Sequence, residues 1–226
     1  MEYHKINSIY KRDEKTKAFL SEYSIPEFEF LKDNIWEFTE KIDGTNVRII
    51  WENGELKFGG KTDNAQMPIK LLEKLQIIFT KENMQIAFPE PEGRIILYGE
   101  GFGVGIQSGG KYNSKEMDFI LFDVLIDKWW LNRNSVEDIA KKLNLKIVKV
   151  IGEGTLKDAV ELTKKGFNSE FGDFIAEGIV LRPKVQLFSR KGDRIITKVK
   201  YKDFHTKLNL KEAPSIPPNP KGIGYP

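Results

Sequence analysis

The stretch Glu40-Lys41-Ile42-Asp43-Gly44-Thr45-Asn46 determines how the rest of the chain is interpreted. It overlaps the end of an apolar, β-branched segment, Ile35–Ile42, whose composition predicts a strand. Side chains two residues apart in a strand point to one face, so Lys41 and Asp43 are expected on the same side. A lysine amine there can attack a phosphorus atom if neighbouring cations or a bound metal favour its uncharged form.

A second lysine motif, Lys198-Val199-Lys200, places two lysines at the same two-residue spacing. In a strand both ammonium groups point to one side, while Val199 faces the core. Two lysines on one face can bind phosphate and oppose protonation of a third amine nearby. Taken alone, each motif also fits an ordinary solvated end of a strand.

Segments rich in β-branched and aromatic residues, each bounded by turn residues, predict a sheet-dominated core. Asn53-Gly54 lies between two of these segments and favours a type I′ turn, which predicts a tight antiparallel hairpin. The predicted strands are Ile35–Ile42, Asn46–Trp51, Glu55–Phe58, Ile95–Glu100, Phe119–Leu125, Gly178–Arg182 and Arg194–Tyr201.

Helix signals are fewer than strand signals. They are an apolar stripe at Ile69, Leu72, Leu75 and Phe79, N-terminal caps at Ser135 with Asp138 and at Thr155 with Asp158, and a helix end at Gly166. Strands and helices do not alternate regularly enough for a doubly wound parallel sheet. The predicted fold class is therefore α+β, with antiparallel sheets and helices packed outside them.

The glycine run from Gly99 to Gly105 superficially resembles a nucleotide-binding loop. No register of this run completes the pattern G-x-G-x-x-G, so it does not predict a dinucleotide site. We interpret the run as a flexible loop after a strand.

Composition limits the classes of protein that the chain can belong to. Its 226 residues suffice for one domain, and 36 Lys+Arg against 33 Asp+Glu require any nucleic-acid affinity to come from clustered charge. The chain has no cysteine and two histidines, which excludes thiol nucleophiles, disulfides and histidine-rich metal sites. With no signal-like or membrane-length apolar run, the expected location is cytoplasmic.

Five motifs in order resemble those of the covalent nucleotidyltransferases, the superfamily of ATP-dependent DNA ligases, RNA ligases and mRNA capping enzymes. The resemblance runs from about Trp36 to Phe204. It implies an ATP-grasp-like ligase catalytic domain. The matching segments are Lys41-Ile42-Asp43-Gly44, Leu97-Tyr98-Gly99-Glu100, Phe119 to Val124, Glu177-Gly178-Ile179-Val180 and Lys198-Val199-Lys200.

The resemblance implies a role for each of these positions. Lys41 is the expected nucleophile, which forms a phosphoramidate with AMP, and Lys198 and Lys200 are expected to neutralise the α-phosphate. Glu100 is expected to accept hydrogen bonds from the ribose, Phe122 to stack on the purine, and Glu177 to hold Mg²⁺ or Mn²⁺. The remaining expected contacts to the nucleotide come from Asp43, Gly44, Asn46 and Lys61.

The motif around Lys41, together with Lys200-Tyr201-Lys202-Asp203-Phe204, is most similar to the bacteriophage type-2 RNA ligase branch. Only 26 residues follow Lys200, too few for the OB-fold found in capping enzymes and DNA ligases or for the helical C-terminal domain usual in this branch. We therefore expect a nucleotidyltransferase domain over residues 1–210 and a proline-rich tail over residues 211–226.

The implied reaction is ATP-dependent sealing of RNA ends. Lys41 attacks ATP, AMP moves to a 5′-phosphate, and a 3′-hydroxyl displaces AMP. RNA, or else DNA or a hybrid duplex, would be held mainly through its phosphates. The basic residues that could contribute are Arg12, Lys111, Lys115, Arg182, Lys184 and Arg190. The alternatives are a compact DNA ligase, a guanylyltransferase that uses GTP, and an inactive nucleic-acid-binding module.

Overall fold

The computed structural model describes residues 1–89 and 93–205. Within these ranges the strands β1 to β13 are Asn7–Ser8, Tyr10–Arg12, Phe19–Tyr23, Trp36–Glu40, Thr45–Glu52, Glu55–Gly59, Ile95–Gly103, Met117–Ile126, Trp129–Trp130, Lys146–Ile147, Val150–Gly154, Gly178–Pro183 and Thr197–Lys200. The helices α1 to α6 are Pro26–Phe30, Ile69–Ile78, Lys81–Ala87, Arg133–Lys142, Leu156–Lys165 and Lys202–His205.

Two sheets make up most of the described chain. A six-stranded sheet has the order β10-β8-β7-β5-β6, with β9 paired to β8, and a five-stranded sheet has the order β1-β13-β12-β4-β11. Strands β2 and β3 form a separate pair. Of the described pairings, β1 with β13 and β10 with β8 are parallel and the others are antiparallel. This is the α+β fold that the sequence predicts.

Each sheet buries one apolar face beneath helices. The outer face of the six-stranded sheet packs against α2, α3 and α4 through a cluster that includes Val47, Leu97 and Leu75. The outer face of the five-stranded sheet packs beneath α1 and α5 through Trp36, Leu181 and Val199. Burial of these apolar faces is the main favourable term in folding, and it leaves the other face of each sheet to line a cleft.

The two cleft-lining faces are joined by a buried carboxylate, Asp123 in β8 of the six-stranded sheet. Arg182 in β12 donates to both of its oxygens at 3.0 and 2.9 Å, and Arg194 donates at 3.1 and 2.8 Å. Burial raises the pKa of Asp123, but the two guanidinium groups outweigh burial and hold the pKa at about 2. The carboxylate is therefore ionised and ties one sheet to the other.

The predicted strands are all present, with boundaries that differ by a few residues. The largest difference is at Arg194–Tyr201, where the strand covers Thr197–Lys200. The hairpin at Asn53-Gly54 is confirmed, since these residues have φ angles of 52° and 74°, the positive values that a type I′ turn requires. The short strands β1, β2, β9 and β10 carry too few residues to leave an alternating pattern in the sequence.

The helix predictions were correct in position but wrong in two details. In α2 the buried residues are Leu71 and Leu75, while Ile69 is exposed, so the apolar stripe is rotated from the predicted one. The cap of α4 is Asn132, whose side chain accepts from the backbone N–H of Ser135. Ser135 is inside the helix because Asn132 already supplies the acceptor.

The last predicted helix is confirmed at both ends. Thr155 and Asp158 form a reciprocal capping box at the start of α5. Gly166 ends the helix with a φ of 81°.

The prediction of a loop at the glycine run was wrong for its first half, because Gly99, Gly101 and Gly103 lie within β7. A Cβ atom at Gly99 would overlap the ring of Phe119, and one at Gly101 would lie 2.5 Å from Leu71. These glycines allow neighbouring side chains and α2 to approach the strand closely.

Two further expectations concern the C-terminal tail and membrane-spanning segments. The proline-rich tail, residues 211–226, lies outside the described residues. Among the described residues, none of the helices is long and apolar enough to cross a membrane.

Replacement of Asp123 by Asn should destabilise the fold. It leaves two guanidinium groups without their counterion, and breaking such a buried network costs about 3 to 5 kcal/mol. The free energy of unfolding of Asp123→Asn, measured in urea, should fall by that amount at neutral pH.

The pH dependence of stability provides an independent readout. Because the pKa is lowered in the folded state, the contribution of Asp123 is present above its unfolded pKa, about 4, and is lost as pH falls towards about 2. Asp123→Asn should lack this acid-dependent part. Asp138→Asn, which removes an exposed ion pair to Lys142, is the control and should cost less than about 1 kcal/mol; equal losses in the two variants would contradict the assignment.

Candidate active site

Two lysines share the carboxylate of Glu177. The Nζ atom of Lys41 lies 2.6 Å from Oε2, and the Nζ atom of Lys200 lies 2.6 Å from Oε1. Strand β12 is antiparallel to both β4 and β13, so the N-terminal end of β12 lies beside the C-terminal ends of the other two strands. Lys41 follows β4, Glu177 precedes β12 and Lys200 ends β13, and the topology therefore brings the three together.

Backbone contacts hold these segments at close range. The N–H of Lys41 donates to the carbonyl of Gly178 at 2.9 Å, and the N–H of Tyr201 donates to the carbonyl of Glu177 at 2.9 Å. Gly178 has a φ of 156°, and a Cβ atom there would lie 2.7 Å from the Cα atom of Lys200. Glycine is needed at this position because the strands approach too closely for a side chain.

Glu100 reaches the same cleft from β7 of the opposite sheet. Its strand partner in β5 is Asn46, which places both side chains on the cleft face. Gly44 lies against this strand, where a Cβ atom would overlap the carbonyl oxygen of Gly101. The structure thus joins the motif around Lys41 to the one around Glu100 by direct backbone approach.

Burial raises the pKa of Glu100 to about 7. The positive charge of Lys41 lowers this pKa, while the carboxylates of Glu177 and Asp43 raise it. A hydrogen bond from the backbone N–H of Gly44 also favours the ionised form. Glu100 is therefore poised to change charge near neutral pH.

Lys198 lies two residues before Lys200 on the same face of β13, as the spacing predicts, and Val199 is fully buried on the other face. Burial and, after it, the positive charges of Lys200, Lys41 and Lys61 lower the pKa of Lys198 to about 8. The cluster holds more ammonium groups than nearby carboxylates, which is the charge pattern of an anion site.

Lys61 is positioned by a residue that the sequence reasoning missed, the buried Arg48. Its Nε atom donates to the carbonyl of Gly60 at 2.7 Å, and its terminal nitrogen lies 2.9 Å from Asp63. These contacts fix the loop on both sides of Lys61. The only sequence signal was an arginine at a cleft-facing position of a predicted strand.

Phe122 is half-buried, at the edge of an apolar cluster that contains Ile42 and Ile120. Other members of the cluster, among them Val148 and Phe171, line a cavity of about 330 Å³. An aromatic ring that is partly exposed at the edge of an apolar cluster can receive another flat ring.

Glu40 is a second residue whose role the sequence did not indicate. It is buried, and it accepts from the hydroxyl of Ser169 at 2.6 Å and from the backbone N–H of Glu170 at 2.9 Å. Burial raises the pKa of Glu40, and these two donors lower it. The contacts anchor the segment that leads to Glu177.

The contacts bring the predicted lysines, Glu177, Glu100 and Asp43 together, and Phe122 packs nearby against the cluster of Ile42. One argument for these residues was wrong. Strand β4 ends at Glu40, so Lys41 and Asp43 lie beyond the strand and do not share a face through strand periodicity. The backbone N–H of Asp43 instead lies 3.3 Å from the hydroxyl of Tyr112. A loop contact therefore holds the backbone at Asp43, and the ion pair with Glu177 orients Lys41.

The side chains that could hold a divalent cation are carboxylates. Among the described residues there is no group of three or more histidines, cysteines or carboxylates arranged to hold an ion unaided. Glu177 offers hard oxygen ligands within the lysine cluster, which fits Mg²⁺, an ion that takes few protein ligands and completes its shell with water and substrate phosphates.

Solved structures with the same fold come from Naegleria gruberi. A mutant RNA ligase with ATP and Mn matches with a TM-score of 0.62 and 19% identity over 79% of this chain and 54% of that chain. The same RNA ligase with PPi has a TM-score of 0.61 and 20% identity over 78% of this chain and 52% of that chain. An apo mutant has a TM-score of 0.63 and 18% identity over 88% of this chain and 57% of that chain. The chain thus spans about half the length of the structures that it matches.

A family description matches the chain over most of its length. The matched residues are 34–200, and they include every segment that meets in the cleft, from β4 to the end of β13. The description is that of RNA ligases. The chain therefore belongs to the RNA ligase family.

Proposed function

We propose that this chain is an ATP-dependent RNA ligase whose Lys41 forms a covalent lysyl-AMP intermediate. The observation that carries the proposal is the pairing of Lys41 and Lys200 with the two oxygens of one carboxylate, Glu177, with Glu100 facing them. This is an amine within an excess of positive charge, which suits attack on a phosphate. The family and the ATP-bound neighbours support the choice of nucleotide.

In the first step the Nζ atom of Lys41 attacks the α-phosphorus of ATP. A phosphorus–nitrogen bond forms, the bond to the bridging oxygen breaks, and pyrophosphate leaves while the amine loses its proton. Lys198 and Lys200 stabilise the negative charge that develops on the phosphates. Lys61, at the rim, adds to this positive field.

Before attack, the amine must leave its ion pair. Glu177 holds the Nζ atom of Lys41 in this ion pair, close to where the α-phosphorus would lie. Mg²⁺ or Mn²⁺ bound by Glu177 and the phosphates would act as a Lewis acid and neutralise negative charge on ATP. Lys198 and Lys200, on the neighbouring strand, would hold the phosphates while the amine of Lys41 turns from Glu177 towards the phosphorus.

The nucleoside would be held by the two walls of the cleft. Glu100, when ionised, accepts hydrogen bonds from the ribose hydroxyls, and Phe122 stacks on the purine base beside the apolar cluster of Ile42. Asp43 and Gly44, in the loop before β5, and Asn46, in β5, would contact the nucleotide from below.

In the later steps AMP moves to a 5′-phosphate, and a 3′-hydroxyl then displaces AMP to form the phosphodiester. RNA is the proposed strand, in keeping with the family. Three of the basic residues suggested by the sequence are paired within the chain, Arg12 with Asp203, Arg182 with Asp123 and Lys184 with Glu153. Lys111, Lys115 and Arg190 are exposed and are the better candidates for phosphate contacts.

Incubation with α-labelled ATP and Mg²⁺ should transfer label to the wild-type protein, as seen on a denaturing gel. Lys41→Ala removes the nucleophile and should reduce labelling by more than about a thousandfold. The same variant should still join an RNA strand that already carries AMP on its 5′-phosphate, because that step does not need the lysine.

Lys57→Ala is the matched control, since Lys57 is an exposed lysine in the neighbouring hairpin. It should label as the wild type does. Undiminished label in Lys41→Ala would refute the assignment of the nucleophile, and label from GTP in place of ATP would indicate a guanylyltransferase.

The affinity for ATP should depend on pH with a maximum between about 7 and 8. Glu100 accepts from the ribose when it is ionised, above about 7, and Lys198 attracts phosphate when it is charged, below about 8. Loss of a charged hydrogen bond costs enough to weaken binding about tenfold on the acid side. Calorimetric titration with ATP over this pH range measures the profile.

Two variants separate the two sides of this profile. Glu100→Gln should abolish the loss of ATP affinity below pH 7. Lys198→Arg, which stays charged, should abolish the loss of ATP affinity above pH 8. A wild-type affinity that does not vary with pH would rule out both contacts.

A further inference from the structure

Phe122 lies at a β-bulge and therefore lacks a partner in the neighbouring strand. In the register of β7 and β8, Tyr98 pairs with Asp123 and Gly99 pairs with Leu121, which leaves Phe122 between the two pairs. A bulge re-aims a side chain but supplies no cross-strand neighbour to hold it. The orientation of this ring must then come from side chains packed around it.

Tyr3 is one of these side chains, and it comes from a segment outside both sheets. Its ring meets the ring of Phe122 edge to face, with centroids 5.2 Å apart and planes at 75°. Tyr98, Trp130 and His4 surround the ring of Tyr3 at centroid distances of 5.0, 5.7 and 4.6 Å. Tyr3 is thus fixed on several sides before it touches Phe122.

The hydroxyl group of Tyr3 fixes the ring further. It donates to Oδ2 of Asp123 at 2.5 Å and accepts from Arg194 at 2.8 Å. Burial, with the negative charge of Asp123 next, raises the pKa of Tyr3 well above its usual value, so the hydroxyl remains a donor. Asp123 in turn holds the two sheets together through Arg182 and Arg194.

We propose that Tyr3 is a positioning residue for the nucleotide base. Its ring holds Phe122 at the bulge in the orientation that receives the purine, and its hydroxyl ties this ring pair to the carboxylate that joins the sheets. The inference rests on the proposed function, in which Phe122 stacks on the base of ATP. A tyrosine that only filled space would affect stability without affecting the choice of ligand.

The test compares the dissociation constants of ATP and of inorganic triphosphate, measured by calorimetry. An aromatic pair contributes enough for Tyr3→Ala to weaken ATP binding by about tenfold. Triphosphate has no base, so its dissociation constant should stay within about twofold of the wild-type value. Tyr3→Phe keeps the edge-to-face contact but loses the hydroxyl, and its affinity for ATP should lie between those of the wild type and Tyr3→Ala.

A double-mutant cycle tests whether Tyr3 acts through Phe122. In the Phe122→Ala background, Tyr3→Ala should have no further effect on ATP binding, because the ring that it orients is gone. Tyr23→Ala, which removes a tyrosine ring from the separate β2–β3 pair, is the control and should leave both dissociation constants unchanged. Thermal unfolding checks that each variant is folded, and Tyr3→Leu replaces Tyr3→Ala if the latter is not.

The outcomes separate this inference from the function on which it rests. If Phe122→Ala weakens ATP binding but Tyr3→Ala does not, or if Tyr3→Ala acts equally in the Phe122→Ala background, the positioning role is wrong and the proposed function stands. If Phe122→Ala leaves ATP binding unchanged, the stacking role fails and the positioning role fails with it. If Tyr3→Ala weakens the binding of ATP and of triphosphate equally, Tyr3 only stabilises the fold and has no positioning role.

Discussion

The geometry of the cleft depends on one buried carboxylate. Asp123 receives five hydrogen bonds, from Arg182, Arg194 and Tyr3, that reach it from β12, from the segment before β13 and from the N-terminal segment. Each sheet already has its own apolar core on its outer face, so apolar burial alone does not set their separation. Because a charged network of this kind has a narrow range of favourable distances, it fixes how far apart the two walls stand.

At the opposite end of the cleft, ammonium groups outnumber carboxylates. Lys41 and Lys200 share Glu177, while burial and the neighbouring lysines lower the pKa of Lys198 to about 8. Unfolding would let Lys198 bind its proton more tightly, so its charge opposes folding below about 8, and this cost disappears as pH rises towards its unfolded value. A bound polyphosphate would offset the cost, which is why such a site gains more from an anion than a balanced surface does.

Local patterns in the sequence were sufficient for seven of the thirteen described strands, since alternation is a property of neighbours in the chain. The grouping of the motif residues came from the resemblance to a family. The positions of Lys198, Val199 and Lys200 followed from the two-residue period alone. The contacts of Tyr3, Arg48 and Glu40 did not, because their partners lie far along the chain or in irregular loops: 120 residues separate Tyr3 from Asp123, and 129 separate Glu40 from Ser169. No periodicity encodes such a pairing, and a lone buried arginine or glutamate looks like a surface charge until the loop it holds is known.

The two ends of the cleft are mechanically coupled, because the same segments of the chain reach both. Arg182 lies in the strand that begins beside Glu177, and Arg194 shortly precedes the strand that carries Lys198 and Lys200. A strand transmits displacement along its length because its ladder bonds fix its register, here Val180 opposite both Thr39 and Lys198. A shift of the guanidinium groups at Asp123 therefore moves the carboxylate and the lysines together, relative to Glu100 on the other wall. The distance between Glu100 and the lysines is thus set at a point that contacts neither.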